Sequence, residues 1–404
     1  MSDPVPNLGQ LRIYCEAARC GSVSAAARAV HLSQPAVTQA VAAVERTLGA
    51  ALFLRSSVGI APTPAGALLL ARCTRLLDQL DEGIAALRRG RGRERPRAGR
   101  SITSTQLRAL IAVVQQGSFS AAARALGQAR ATVHRATRAL ERAVELPLFE
   151  QTSFGVGTTR VAVELARCAV LAFSEFAQGR AEVAALGGGD RGRTVVGTMP
   201  LARSVLMPRT VLAFMAQHPR HTVSILDGPY DRMLSDLRSG AADLLVGALR
   251  VPSPGDDVLQ EHLFDDPLAL VVRSGHPLAH RRRPTPGQLA RYPWIVARPG
   301  APLRGHFDAL FAGSTAPAST IECNSMVAAR GMLLTSDCIM LASANQVHHE
   351  LLLGELKLLP HPRGGRVRGI GLTVRRGWRP TPVQQQLVDI LRAQARLMTY
   401  RAAP

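Results

Sequence analysis

Lysine is almost missing from this chain: of 49 basic residues among 404, only Lys357 is a lysine, and 29 acidic residues leave a formal charge of +20. A GC-rich coding sequence also replaces lysine by arginine, so the sign of the charge carries the inference. It favours a polyanionic partner, nucleic acid being the usual one. Arginine adds a planar fork that matches phosphate oxygens and guanine edges. No close CxxC pair occurs among Cys15, Cys20, Cys73, Cys168, Cys323 and Cys338, which argues against a disulfide scaffold and leaves them as small buried apolar residues. No apolar run approaches the roughly 18 residues of a membrane span. Met1-Ser2-Asp3-Pro4 does not begin a leader, so a cytoplasmic location is expected. GxSxG, P-loop and dinucleotide fingerprints are missing too. His348-His349-Glu350 lacks the i, i+4 histidine pair of a zinc helix, and no third ligand is evident. Sulfur contact between Cys323 and Cys338 does not follow from spacing. Neither an enzyme nor a resident metal or cofactor is expected.

What is present is a repeat. Gln10-Leu11-Arg12, Gly21-Ser22, Ser24 to Ala29, Glu45-Arg46, Leu52-Phe53 and Gly59 recur as Gln106-Leu107-Arg108, Gly117-Ser118, Ser120 to Ala125, Glu141-Arg142, Leu148-Phe149 and Gly155, always 96 positions on. A chance echo would not hold register that long, so one module has been duplicated.

In the first copy, Leu8, Leu11, Tyr14, Cys15 and Ala18 make one face of a helix over 7–19. After Gly21-Ser22 a short helix of small residues spans Ser24 to Val30, and His31-Leu32 turns the chain. Ser33 caps a further helix that starts with Gln34-Pro35 and carries a stripe of Val37, Val41, Val44 and Leu48. If that stripe is buried, Pro35, Gln39, Ala42, Ala43 and Arg46 lie opposite, with Gln34 and Thr38 at the flank. The start of such a second helix enters a major groove, where Gln pairs with adenine and Thr meets a base edge or a thymine methyl. Arg46 is placed for a phosphate. Leu52 to Arg55 with Gly59 to Pro62 reads as a two-stranded wing, making Arg55 a second backbone clamp. Thr63-Pro64 then opens a long helix over Ala65 to Leu87, whose Leu68, Leu69, Ala71, Leu76, Leu80, Ile84 and Leu87 form a seam that needs a partner.

Ser24-Ala25-Ala26-Ala27-Arg28, Leu32 to Thr38, the Glu45 to Gly49 turn, Leu52 to Arg55 and Thr63-Pro64-Ala65-Gly66 resemble the winged helix-turn-helix of LysR-type transcriptional regulators. The resemblance implies that the long helix after the wing makes the dimer.

The second copy keeps Val133, Leu140 and Val144 in the stripe, with Thr137 in place of Val41, and changes the outer face to Arg130, His134, Arg135 and Arg138. Gln151 stands where Arg55 does. Thr159-Arg160-Val161-Ala162 replaces the Thr-Pro-Ala-Gly entry, and a second long helix over Val161 to Leu186 ends at Gly187-Gly188-Gly189. Two readings stand: a second half-site reader of different preference, or a retired copy kept as spacer and dimer support. Between the copies, Arg88 to Arg100 is too rich in charge, Gly and Pro to fold alone, and is either an arm along DNA phosphates or a solvated tether.

From Arg193 strands alternate with helices: strands over 194–197, 221–226 and 243–247, helices over 205–217 and 232–239, further strands over 268–273 and 294–297, and a helix over 325–334. This order implies a parallel sheet with ligands at its carboxyl edge. Val196-Gly197-Thr198, Leu206-Met207-Pro208, Leu237 to Gly240, Asp243 to Leu249, Pro267 to Leu278 and Tyr292 to Ile295 resemble the effector-binding domain of the same family. The resemblance implies two α/β lobes of the periplasmic-binding-protein type. Helix N-termini after the strands offer N–H groups to carboxylate or hydroxyl oxygen, so Thr198, Pro200, Tyr230, Asn324 and Ser325 are the candidate effector contacts.

The expected architecture is therefore multidomain: a winged helix-turn-helix (1–64), a linker helix (65–88), an arginine-rich linker (89–101), a divergent second winged helix-turn-helix (102–159), a second linker helix (160–190) and a two-lobed α/β effector domain (191–404). The expected function is a sequence-specific transcriptional regulator of double-stranded DNA, a homodimer or tetramer, controlled by a small molecule such as an organic acid, an aromatic or a sugar. The alternative is a cytosolic two-lobed solute-binding protein or enzyme whose helical modules serve only to oligomerise.

Overall fold

The computed structural model describes residues 7–57, 59–90, 101–152, 155–189, 192–362 and 367–398. Arg91 to Arg100, the greater part of the arginine-rich linker, lies outside the described residues, as does the side chain of Gln151. Contacts divide the chain into two compact units, Met1–Gly192 and Arg193–Pro404.

The first unit opens with helices α1 (Leu8–Cys20), α2 (Val23–Ala29) and α3 (Gln34–Leu48), an antiparallel ribbon of β1 (Phe53–Ser56) and β2 (Gly59–Pro62), and the long helix α4 (Pro64–Arg89). The same order returns as α5 (Ser104–Gln116), α6 (Phe119–Leu126), α7 (Arg130–Val144), the ribbon β3 (Phe149–Thr152) and β4 (Gly155–Thr158), and α8 (Arg160–Leu186). Local chemistry sets the boundaries. Asn7, Ser22, Ser33 and Thr63 each accept a backbone N–H at a helix start, and Gly21 and Gly49 turn left-handed after α1 and α3.

Two devices repeat at the same offset. The Glu45 carboxylate accepts the Leu52 N–H at 2.8 Å, as Glu141 does that of Leu148 at 2.8 Å. The Thr63 hydroxyl donates to the Ala51 carbonyl at 2.8 Å, as Thr159 does to that of Pro147 at 2.9 Å. Each copy thus ties its third helix and its long helix to the same loop.

The seam of α4 has its partner inside the chain, which corrects the expectation that it pairs with a second subunit: α4 packs along α8. Leu69, Leu76, Leu80 and Ile84 are buried there, whereas Ala71 is exposed and Arg72 and Cys73 are buried in its stead. One apolar core runs from Leu8 and Leu11 through α4 and α8 to Leu107, Leu140 and Leu148, so both copies share an interior. A smaller core of Ala17, Ala26, Ala27, Val37 and Val41 closes the first three helices.

The second unit begins β5 (Arg193–Thr198), α9 (Pro200–Arg203), α10 (Leu206–Gln217), β6 (Thr222–Asp227), α11 (Tyr230–Ser239) and β7 (Leu244–Ala248), with β6 and β7 flanking β5 in parallel. The purely parallel sheet expected from sequence is corrected by two strands. β8 (Val258–Arg273) is 16 residues long, and β13 (Val367–Arg375) runs antiparallel to both β7 and β8. The remaining elements are α12 (Pro286–Leu289), β9 (Trp294–Val296), α13 (Pro302–Phe311), β10 (Thr320–Glu322), α14 (Met326–Thr335), β11 (Ile339–Ser343), a 3-10 turn over Ala344–Val347, α15 (His348–Leu352), β12 (Leu356–Leu359) and α16 (Pro382–Arg396). The first part of β8 pairs with β13, and its last residues pair with β11 and β12. One strand therefore passes through two lobes, with separate cores around Val196, Phe214 and Leu387 on one side and Leu270, Trp294 and Phe311 on the other.

Candidate nucleic-acid interface and ligand cleft

Val37 is fully buried, and Val41 and Val44 are nearly so, which sinks one face of α3 into its own module. Gln34, Pro35, Gln39 and Arg46 are consequently exposed, and Thr38 is half-buried beside them. Ser33 accepts the Ala36 N–H at 3.4 Å, fixing the start of the helix. Arg55 is exposed on β1. Arg28, which sequence reasoning passed over, is exposed on α2, and so is its counterpart Arg124 on α6. None of Arg28, Arg46 and Arg55 has a carboxylate partner among the described residues, so their charge is available to phosphate.

On α7, Val133, Leu140 and Val144 are buried, and the Thr137 hydroxyl satisfies itself on the Val133 and His134 carbonyls at 3.1 and 2.9 Å. Arg130 and Arg135 are exposed and free of carboxylates among the described residues. The exposed His134 packs at a tilt of 59° against Phe119 with ring centres 5.4 Å apart. Arg138 is placed differently from expectation. It pairs with Glu141 at 2.5 Å and lies 5.8 Å from the Phe149 ring centre, held against its own module.

In the second unit a cleft of about 380 Å³ lies between the two lobes, lined on one side by Pro200, Arg203 and Tyr230 and on the other by Phe307, Asn324 and Ser325. Four of the five expected contacts thus converge. Thr198 does not line it: its side chain is buried and its hydroxyl donates to the Leu226 carbonyl at 3.3 Å. Ser325 caps α14 through the Ala328 N–H at 3.3 Å, so its hydroxyl is partly committed.

Sequence reasoning missed the cleft's arginines. Arg203 donates to Asp227 at 2.9 Å and to the Thr198 carbonyl. Arg250 lies over Tyr230 and has no carboxylate partner among the described residues. Arg368, on the cleft floor, donates to Asp266 at 2.8 Å and to Gln346 at 3.1 Å, while Asn345 completes the buried Asp266 at 2.9 Å. Burial lowers the pKa of both Arg203 and Arg368, and neither Asp227 nor Asp266 fully offsets it. Burial raises the Tyr230 phenol, against the pull of Arg250. A further negative charge in the cleft would favour the charged forms of Arg203 and Arg368. Arg250 and Arg368 reach the cleft through the pairing of β7 with β13, which periodicity does not encode, and Arg203 reaches it at the end of α9.

Among the described residues no three metal-ligating side chains converge, and Glu350 is paired with Arg330 at 3.1 Å. No helix among them is long and apolar enough to cross a membrane.

Residues 187–396 match the LysR substrate binding domain, and residues 8–67 and again 104–162 match the bacterial regulatory helix-turn-helix protein of the lysR family. This chain belongs to the LysR family. It is a DNA-binding transcriptional regulator with an effector-binding domain, not an enzyme. It is 32% identical over 390 residues to the HTH-type transcriptional regulator GalR of Pseudomonas putida, covering 96% of this chain and 97% of that one. A full-length OxyR from Pseudomonas aeruginosa shares the fold at 19% identity and a TM-score of 0.53, over 74% of this chain and 98% of that chain. LysG of Corynebacterium glutamicum, with its effector arginine bound, does so at 20% identity and a TM-score of 0.53, over 72% and 97%. About a quarter of this chain lies outside what the OxyR and LysG structures cover, whereas the GalR relative spans nearly all of it.

Proposed function

We propose that both repeats are winged helix-turn-helix readers of double-stranded DNA, with Gln34, Pro35, Thr38 and Gln39 of α3 and Arg130, His134 and Arg135 of α7 at base edges. Arg46 and Arg55 clamp phosphates, and Arg138 steadies its module from within. The observation that carries this is the sunken valine stripe of α3, which leaves a capped, polar helix start free to enter a groove. The six-segment division given above and a cytoplasmic location belong to the same reading, as does a homo-oligomer.

The second unit, of the periplasmic-binding-protein type, holds an organic anion with an apolar body. Arg250 without a carboxylate, Tyr230 beneath it and a wall of Met199, Leu201, Phe307 and Met326 support that class over a neutral sugar. Pro200, Asn324 and Ser325 line the opposing rims, and Thr198 supports the floor from behind.

The test is the salt dependence of binding to DNA. With about six phosphates held, affinity should fall on the order of a thousandfold between 50 and 200 mM salt. A flat response would favour modules that only oligomerise. Gln34→Ala and Thr38→Ala should relax sequence choice by about 1–3 kcal/mol, whereas Arg55→Ala should weaken all sequences alike. Equal losses on specific and random DNA for Gln34→Ala would remove α3 from the groove.

A further inference from the structure

We propose that a single chain presents a complete, two-sided DNA surface. The pairing of α4 with α8 sets α3 and α7 about a pseudo-twofold axis, which fits a duplex site made of two inverted and unlike halves. The proposal rests on the reading of both repeats as DNA-binding modules.

The axis is visible in contacts that exchange with one another. The Leu8 N–H donates to the Ser104 hydroxyl at 3.2 Å, and these residues are counterparts, 96 positions apart, so the first turns of α1 and α5 meet on the axis. A Cβ placed on Gly83 would lie 3.2 Å from that of Cys168, and one on Gly179 would lie 3.1 Å from that of Arg72. Shifting by the repeat turns Gly83 into Gly179 and Arg72 into Cys168, so the two approaches are one approach occurring twice. Such exchange requires antiparallel helices with the axis passing near Leu77 and Phe173. Each module hangs from the N-terminal end of its own long helix, so the two lie at opposite ends of a pair about 40 Å long. Two inverted half-sites one helical turn apart are separated by about 34–36 Å.

Charge makes this pairing specific. Arg72 donates to Glu175 at 2.9 Å, Gln178 at 2.7 Å and Glu182 at 2.5 Å, and Arg75 donates to Glu175 at 2.8 Å, all within the buried seam. The counterparts of Arg72 and Arg75 in α8 are Cys168 and Leu171. Two α8 helices paired together would set Cys168 and Leu171 where Glu175 and Glu182 now meet Arg72 and Arg75, leaving buried carboxylates without those cations, an unfavourable arrangement. The α8 seam therefore selects α4.

Unlikeness of the halves follows from the reading faces. α3 offers Gln34, Thr38 and Gln39 where α7 offers Arg130, His134 and Arg135. Glutamine pairs with adenine and arginine with guanine, so one half should be read for A·T pairs and the other for guanine.

Two experiments on the full-length protein test this. Gly83→Cys places a thiol against Cys168. Oxidation with a thiol oxidant such as diamide should link residues 83 and 168 within one chain, seen as a disulfide-joined peptide pair in non-reducing digests of the band at the single-chain mass of 43.1 kDa and missing from the unmodified protein. The second is footprinting on duplexes that the intact protein selects from a random-sequence library. Gln34→Ala should weaken protection of one half and Arg135→Ala that of the other, each by about tenfold. A bridge at twice the chain mass, or a footprint whose halves both weaken with Gln34→Ala and neither with Arg135→Ala, overturns the proposal while leaving DNA binding in place. Failure of the unmodified protein to select any duplex removes the DNA-reading premise itself, and the gel then reports separately on the helix pairing. If Gly83→Cys does not fold, the footprints decide alone, since Gln34 and Arg135 are exposed.

Discussion

Arg250 lies over the face of Tyr230, its guanidinium carbon 3.9 Å from the ring centre. The ring holds the cation in place by its quadrupole without neutralising it. Arg250 is therefore oriented and still unpaired when a ligand arrives. Arg250→Ala should lower affinity for an organic-acid effector by about 1.5–3 kcal/mol, the range of a hydrogen bond to a charged group. Calorimetric titration with an acid found by thermal-shift screening measures this, and unchanged affinity would place the anion elsewhere.

Removing one partner from the buried charge cluster should cost far more than removing two. Arg72→Met leaves Glu182 buried without its cation and should destabilise the first unit by about 3–5 kcal/mol in denaturant unfolding. Adding Glu182→Leu should recover most of that loss. A double variant no more stable than the single one would show that packing, not charge, governs the seam.

Acid should loosen the same helix pair. Burial works against a charged Glu175, yet hydrogen bonds from Arg75 and Arg72 outweigh it and hold the carboxyl below its ordinary range. A depressed carboxylate gives stability that is present above the unfolded value, about 4.3, and is lost as pH falls through the folded one. The stability gap between the unmodified protein and Glu175→Gln should therefore be widest near neutrality and shrink below about pH 4, as followed by circular dichroism. A gap that does not shrink would argue against this ionisation.

Gly66 is a place where the copies are not interchangeable. A Cβ there would sit 2.1 Å from the Leu52 carbonyl oxygen, and the Gly66 carbonyl also accepts the Tyr14 hydroxyl at 2.6 Å. Gly66→Ala should cost about 1–3 kcal/mol by overpacking. Its counterpart Ala162 is already buried, and Ala162→Gly should cost only about 1 kcal/mol of helix propensity. Thermal unfolding of the two variants compares them directly.

Helix starts and stops in the first unit were legible because they rest on local chemistry: Ser33 caps, Pro35 follows it, and Gly49 turns the chain. The face of α3 was legible because Val37, Val41 and Val44 repeat at helical spacing. The partner of α4 was not, since an apolar seam states that something covers it and not what. The pairing of Arg138 with Glu141 was legible and overlooked, since residues three apart on a helix are side-chain neighbours. In the second unit the βαβ segments were readable, but β8 carries partners on both edges and serves two lobes. Its antiparallel return through β13, which brings Arg368 beneath the cleft, depends on residues about a hundred positions apart. Thr198 was misplaced for a simpler reason: a strand alternates its faces, and its last residue falls on a covered one, where its hydroxyl meets the Leu226 carbonyl.

Because α3 and α7 are written at separate places on one polypeptide, a single base change in the gene alters one of them and leaves its counterpart untouched. A regulator assembled from identical subunits has no such freedom, for every mutation lands on both sides of the dyad. Under the proposed reading, duplication at a 96-residue interval lets each flank of the bound site drift on its own, and lets selection tune them one at a time.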